Sequence, residues 1–135
     1  MVFNNSDWLA QVQEDIIDPD REIVDPHHHL WPQADMHYHV PEFLADLTSG
    51  HNVVQTVFME CGAAYREDGP DYLKPVGETE FVAAAAAEMK AKGGPYIAGI
   101  VGHADLRGPH LEDVLDAHRD AANGLFRGIR HAGSR

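Results

Sequence analysis

The chain has 135 residues, a formal net charge of −12, 44% hydrophobic residues and a single cysteine, Cys61. That length suits one compact domain, and the acidic balance argues against any partner that is nucleic acid or anionic membrane. A lone cysteine forbids an internal disulfide, no apolar run reaches transmembrane length, and Asp7, Glu14, Asp15, Asp18 and Asp20 make a secretory signal the wrong reading of the first twenty residues, so the expected location is cytoplasmic.

In chain order, residues 1–20 read as a leading helix and extension. The stretch SDWLAQVQEDI (6–16) offers Ser6 as an N-cap and places Trp8, Leu9 and Val12 at helical spacing. REIVDPHHH (21–29) is a short strand. PEFLADLTSG (41–50) is a helix with Pro41 in its first turn, Phe43, Leu44 and Leu47 on one face, and Gly50 as its stop. NVVQTVFMEC (52–61) is a strand that is apolar on both faces except at Gln55 and Thr56, as a covered parallel strand should be.

The alternation continues with a helix over GETEFVAAAAAEMKAKGG (77–94). Glu78 and Glu80 suit its N-terminal dipole, Phe81, Val82, Ala85 and Met89 form its buried stripe, and the alanine run reads as surface. YIAGIVGHADL (96–106) is a third strand. PHLEDVLDAHRDAANG (109–124) is a helix with Leu111, Val114, Leu115 and His118 on one face, and LFRGIRH (125–131) is a fourth strand. Strands separated by helices pair in parallel through right-handed crossovers, so the fold class is α/β. Neither G-x-G-x-x-G nor a P-loop follows any strand, and the first strand ends in histidines instead, which favours a (β/α) barrel over a doubly wound sheet. In a barrel register, Val53, Val57, Ile97 and Val101 fall on the inward face.

Within "VDPHHHLW", side chains alternate, so Asp25, His27 and His29 share one face while His28 points to the other and packs on the helices. Same-face residues lie roughly 6.5–7 Å apart along a strand, and two imidazoles can converge from there on one ion. Pro26 lacks an N–H and is expected where the strand is ending. A histidine cluster in a loop is often merely solvated, but the other strands also deliver ionisable residues to their ends: Glu60, His103 with Asp105, and Arg130 with His131. His37, His39, His51 and His110 read as loop or helix-start residues, His118 as a packed partner, and Cys61 as a small buried side chain.

The segments VDPHHHLW, VFMECGAAYREDGP, VGETEF, GIVGHADL and FRGIRHA resemble, in the same order, successive blocks of the amidohydrolase-related branch of the amidohydrolase superfamily, which are TIM-barrel hydrolases including lactonases. The resemblance runs from about residue 19 to the end and implies that residues 1–135 correspond to the N-terminal part of such a barrel, a half-barrel of about four βα units truncated after the fourth strand. It implies His27 and His29 as ligands of a divalent metal, most simply zinc, or as substrate-binding residues in a metal-free variant. It assigns Glu60, Arg130 and His131 to the catalytic mouth, with Arg130 holding a substrate carboxylate or a developing oxyanion. The implied reaction on a small-molecule substrate is hydrolysis of a lactone or similar cyclic ester. Non-oxidative decarboxylation, and a catalytically inactive fragment that only binds metal or assembles with another chain, stay open. The later histidines and final aspartate of such enzymes have no counterpart up to position 135, so no efficient lactonase turnover is expected of this chain alone, and its open edges suggest a homo-oligomer.

Overall fold

The computed structural model describes residues 5–133. A short helix α1 (Ser6–Leu9) precedes β1 (Glu22–His28), α2 (Val40–Leu47), β2 (Asn52–Met59), a single 3-10 turn (Asp71–Leu73), α3 (Val76–Ala91), β3 (Tyr96–Gly102), α4 (Leu111–Ala121) and β4 (Phe126–Ile129). Every element read from the sequence is present, and each is shorter. Helix α1 is the extreme case, four residues instead of eleven. Trp8, Leu9 and Val12 are exposed, so the helix has no core to lie on, and isolated short helices do not hold without one. The Ser6 side chain, expected to cap it, lies outside the described residues.

The four strands form one parallel sheet in the order β1-β2-β3-β4. Neighbours in sequence are neighbours in space, so the order has no reversal and the switch point of a doubly wound sheet is absent. Crossovers of one hand between successive strands put their helices on one face. The buried cluster agrees: Phe43 and Leu47 of α2, Val82, Ala85 and Met89 of α3, and Phe58, Ile97 and Ile100 of the sheet pack together. The sheet is open, with β1 and β4 as its edges.

The sheet carries four register shifts, and two of them bear on the faces expected from the sequence. In β3 the pairing skips Ala98, with Thr56 opposite Ile97 but Val57 opposite Gly99. The skip turns both Ile97 and Ile100 toward the helices. Ile97, expected on the inward face, is therefore a core residue, and Val53 also packs against that core, while Val57 and Val101 remain half-buried outside it. In β1 the register shifts between Asp25 and His28, around Pro26. The strand does not end at the proline; the ladder skips it and resumes at His28.

The alanine run of α3 is a second correction. Ala83, Ala85 and Ala86 are buried and only Ala84 and Ala87 are exposed, so three small side chains let the helix lie close to the sheet. His28 faces the helix layer, as the alternation predicts. Its ring stacks on Phe43 at 4.2 Å between centroids and meets Phe58 edge-on at 5.7 Å. Among the described residues neither ring nitrogen has a hydrogen bond of ordinary geometry, and burial pushes its pKa from 6.5 down to about 4. His118, fully buried, is also shifted down by burial.

Both groups fold as neutral rings, and the unfolded chain takes up protons below pH 6.5 where the folded chain does not. Stability should therefore fall as pH drops from 6.5 towards 4, His28 contributing on the order of 3 kcal/mol. Denaturant titrations at either end of that window should show the loss, and His28→Phe, which keeps a ring against Phe43, should show a smaller one. An identical loss in the variant would assign the acid sensitivity to other groups.

Candidate active site

All four strands run parallel, so their C-terminal ends meet at one rim, and the polar side chains lie there. At the end of β1 the rings of His27 and His29 meet edge to face, with Nε2 atoms 3.2 Å apart. His29 Nδ1 lies 2.8 Å from the carbonyl of Met59. A carbonyl only accepts, so that nitrogen carries the hydrogen and the Nε2 lone pair of His29 faces His27. Two ligands on a tetrahedral zinc, each at about 2.0–2.1 Å, would sit about 3.3 Å apart, and the observed separation fits that within the freedom of the rings. Asp25 does not join them; its carboxylate accepts the His27 backbone N–H at 3.0 Å. Among the described residues no three His, Cys, Asp or Glu side chains converge on one ion position.

Glu60 and Arg130 extend the ladder one residue beyond β2 and β4. Glu60 N donates to Val101 O and Arg130 N to Gly102 O, both at 2.9 Å. Their side chains form an ion pair: Arg130 Nε donates to Glu60 Oε1 at 2.8 Å and Nη2 to the Glu60 carbonyl at 2.5 Å. Glu60 is thus committed to Arg130, and among the described residues no hydrogen bond ties it to either histidine of β1. It adjoins them through the chain, since Met59, the partner of His29, is its neighbour.

His103 and His131 stand at the ends of β3 and β4, their ring centroids 5.4 Å apart. His103 Nδ1 is 3.1 Å from Arg130 O, and His131 Nδ1 accepts the Leu106 N–H at 3.2 Å. Behind them His118 Nε2 donates to His103 O at 2.9 Å and its Nδ1 accepts from the Thr79 hydroxyl at 2.8 Å. The sequence reading of His118 as a packed partner holds. Gly102 makes room for it, because a Cβ there would lie 2.8 Å from His118 Cε1. Asp105 turns outward to Arg107, whose guanidinium and backbone N–H hold its carboxyl down to about 2.

Sequence reasoning missed Glu78. It is 1% exposed and its carboxylate accepts the N–H groups of Ala63 at 2.7 Å and Cys61 at 3.2 Å, holding the loop that follows β2. An acid near the start of a helix is the only signal, and Glu80, two residues further on, carries much the same one while pairing with Arg66 on the surface. Burial and then Glu78 push the Cys61 thiol up to about 12, so it is no nucleophile, and it is half-buried rather than fully so. His39 begins α2, its N–H donating to Glu42 at 3.0 Å, and His110 stacks on Tyr72 at 4.1 Å.

No family model matches the chain, and no solved structure matches it. It is 34% identical to y4mH, an uncharacterized protein of Sinorhizobium fredii, over 135 aligned positions that take in 84% of this chain and 40% of the relative. The chain thus spans well under half the length of the curated relative it matches.

Glu78→Ala should leave the Cys61 and Ala63 amides without their acceptor and lower stability by about 2 kcal/mol or more. Glu80→Ala, an exposed change in the same turn, should cost about 1 kcal/mol or less. Thermal melts of the two variants check the contrast; equal losses would make Glu78 an ordinary helix-dipole residue.

Proposed function

We propose that this chain forms the N-terminal part of a (β/α)-barrel hydrolase that uses a divalent metal, most simply zinc, to open a lactone or similar cyclic ester. The observation that carries the reading is the His27–His29 pair, two Nε2 atoms 3.2 Å apart with His29 fixed by a backbone carbonyl in the tautomer that a ligand needs. The sequential strand order with helices on one face is compatible with the first half of such a barrel, and the polar residues gather at the end of the sheet where barrel enzymes keep their sites.

His27 and His29 would hold the divalent cation, which would supply Lewis-acid polarisation of the ester carbonyl. The protein's own contribution is positioning. Glu60 clamps Nε and Nη2 of Arg130, which leaves Nη1 of a pre-oriented guanidinium to hold a substrate carboxylate. His131, half-buried at the same rim, offers a hydrogen-bond donor.

The test is metal content after dialysis against zinc. His27→Ala or His29→Ala should each reduce retained zinc by about tenfold or more, in the range seen when metal-site residues are lost, and His28→Phe should leave it unchanged. Affinity should be modest with two protein ligands, and equal losses from all three changes would remove the metal reading.

The open edges belong to the same proposal. Strands β1 and β4 present unpaired backbone, and Val24, Val57 and Val101 leave apolar surface without the opposing side chains of a closed barrel. Wet apolar surface costs roughly 25 cal/mol per Å², so further strands, from a longer chain or a second copy, would cover it. Light scattering after size exclusion should find the isolated chain as a dimer or larger. A dilution-resistant monomer would count against the half-barrel reading.

A further inference from the structure

His103 and His131 line one cleft of about 320 Å³ together with Glu60, Cys61, Gly62 and Tyr65. Their tautomers are set in opposite senses by groups that have no protonation choice. The Arg130 carbonyl can only accept, so His103 Nδ1, 3.1 Å away, carries the hydrogen and its Nε2 keeps a lone pair. The Leu106 peptide N–H can only donate, so His131 Nδ1, 3.2 Å away, is the acceptor and its Nε2 carries the hydrogen. The Asp105 carboxylate lies 3.5 Å from the same Nδ1, but the Arg107 side chain and backbone N–H take it up. The backbone of His103 is anchored in turn by the buried His118–Thr79 contact. One edge-to-face pair therefore presents a proton acceptor and a hydrogen-bond donor to the same small space.

We infer that His103 is the general base, and His131 the oxyanion donor, of a hydrolytic site in this cleft, acting on an ester or lactone carbonyl. The inference rests on the hydrolase reading above and places the base inside this chain. His103 Nε2 takes a proton from water as the water oxygen bonds to the carbonyl carbon, while the neutral Nε2–H of His131 donates to the carbonyl oxygen as it gains charge. When the intermediate collapses, the carbonyl re-forms, the ring C–O bond breaks, and His103 returns its proton to the departing oxygen. The product is the hydroxy acid, and both imidazoles end neutral as they began. Other candidates in the cleft are occupied: Glu60 is paired with Arg130, and the Cys61 thiol stays protonated.

Two measurements test this on the whole chain. Long-range imidazole ¹⁵N spectra near neutral pH should show the Nδ1–H tautomer for His103 and the Nε2–H tautomer for His131, a readout that needs no turnover and no variant. With zinc supplied and dihydrocoumarin as the probe lactone, the wild type should show slow hydrolysis. His103→Gln should lower kcat by about 100-fold or more with little change in KM, His131→Gln by about tenfold or more, and His51→Gln, in an exposed turn, should change nothing. The same tautomer in both rings, or a His103→Gln variant as active as wild type, overturns the inference. Turnover that survives His103→Gln but is lost in His27→Ala overturns this assignment alone. A wild type with no turnover overturns the placing of the base within this chain, while the hydrolase reading stands or falls on zinc retention by His27 and His29.

Discussion

The structure depends on one constraint: successive parallel strands joined by right-handed crossovers must send every helix to the same side and every strand terminus to the same rim. From that follow the single core between sheet and helices, the uncovered opposite face, and the gathering of His29, Glu60, His103 and Arg130 at one end. Backbone bonds continue the ladder past the strands there, from Glu60 to Val101 and from Arg130 to Gly102. The rim residues are therefore held on sheet-like backbone, where orientation is fixed more tightly than in a free loop.

Buried polar groups behind the rim supply the second layer of order. Glu78 gathers two loop amides after β2, and His118 links Thr79 of α3 to the carbonyl of His103. Both rely on close approach that glycine permits: Gly77, where a Cβ would sit 2.6 Å from the Arg66 nitrogen, and Gly102 beside His118. The side chains of Glu78 and His118 are both fully buried. They satisfy backbone hydrogen bonds that would otherwise be lost on burial, and a loop so anchored presents its side chains at one angle.

The rim itself divides by charge. Arg130 and Glu60 neutralise each other, and Asp105 and Arg107 do so further out, so the net acidity of the chain is not focused on the cleft. What remains there is imidazole: His27 with His29 on one side, His103 with His131 on the other. In three of these four rings a backbone carbonyl or amide decides which nitrogen is protonated, which lets neutral groups be directional without burying charge.

The alternation of strand and helix, and so the α/β class and the parallel sheet, was legible because each element carries its own period and its own stops, the proline and glycine after α3 being an example. The split between His28 and its two neighbours was legible for the same reason, since a strand alternates whatever surrounds it. Local pattern could not reveal the skips at Pro26 and Ala98, because register belongs to the neighbouring strand as much as to its own, and one unpaired residue exchanged the faces expected for Ile97. Nor could it separate Glu78 from Glu80, two acids in one helical turn, of which only the first meets loop amides brought from fifteen or more positions away. The sequence by itself determined which residues could be strand, helix or ligand; the tertiary structure decided which of them meet, because a contact depends on two segments and their register at once.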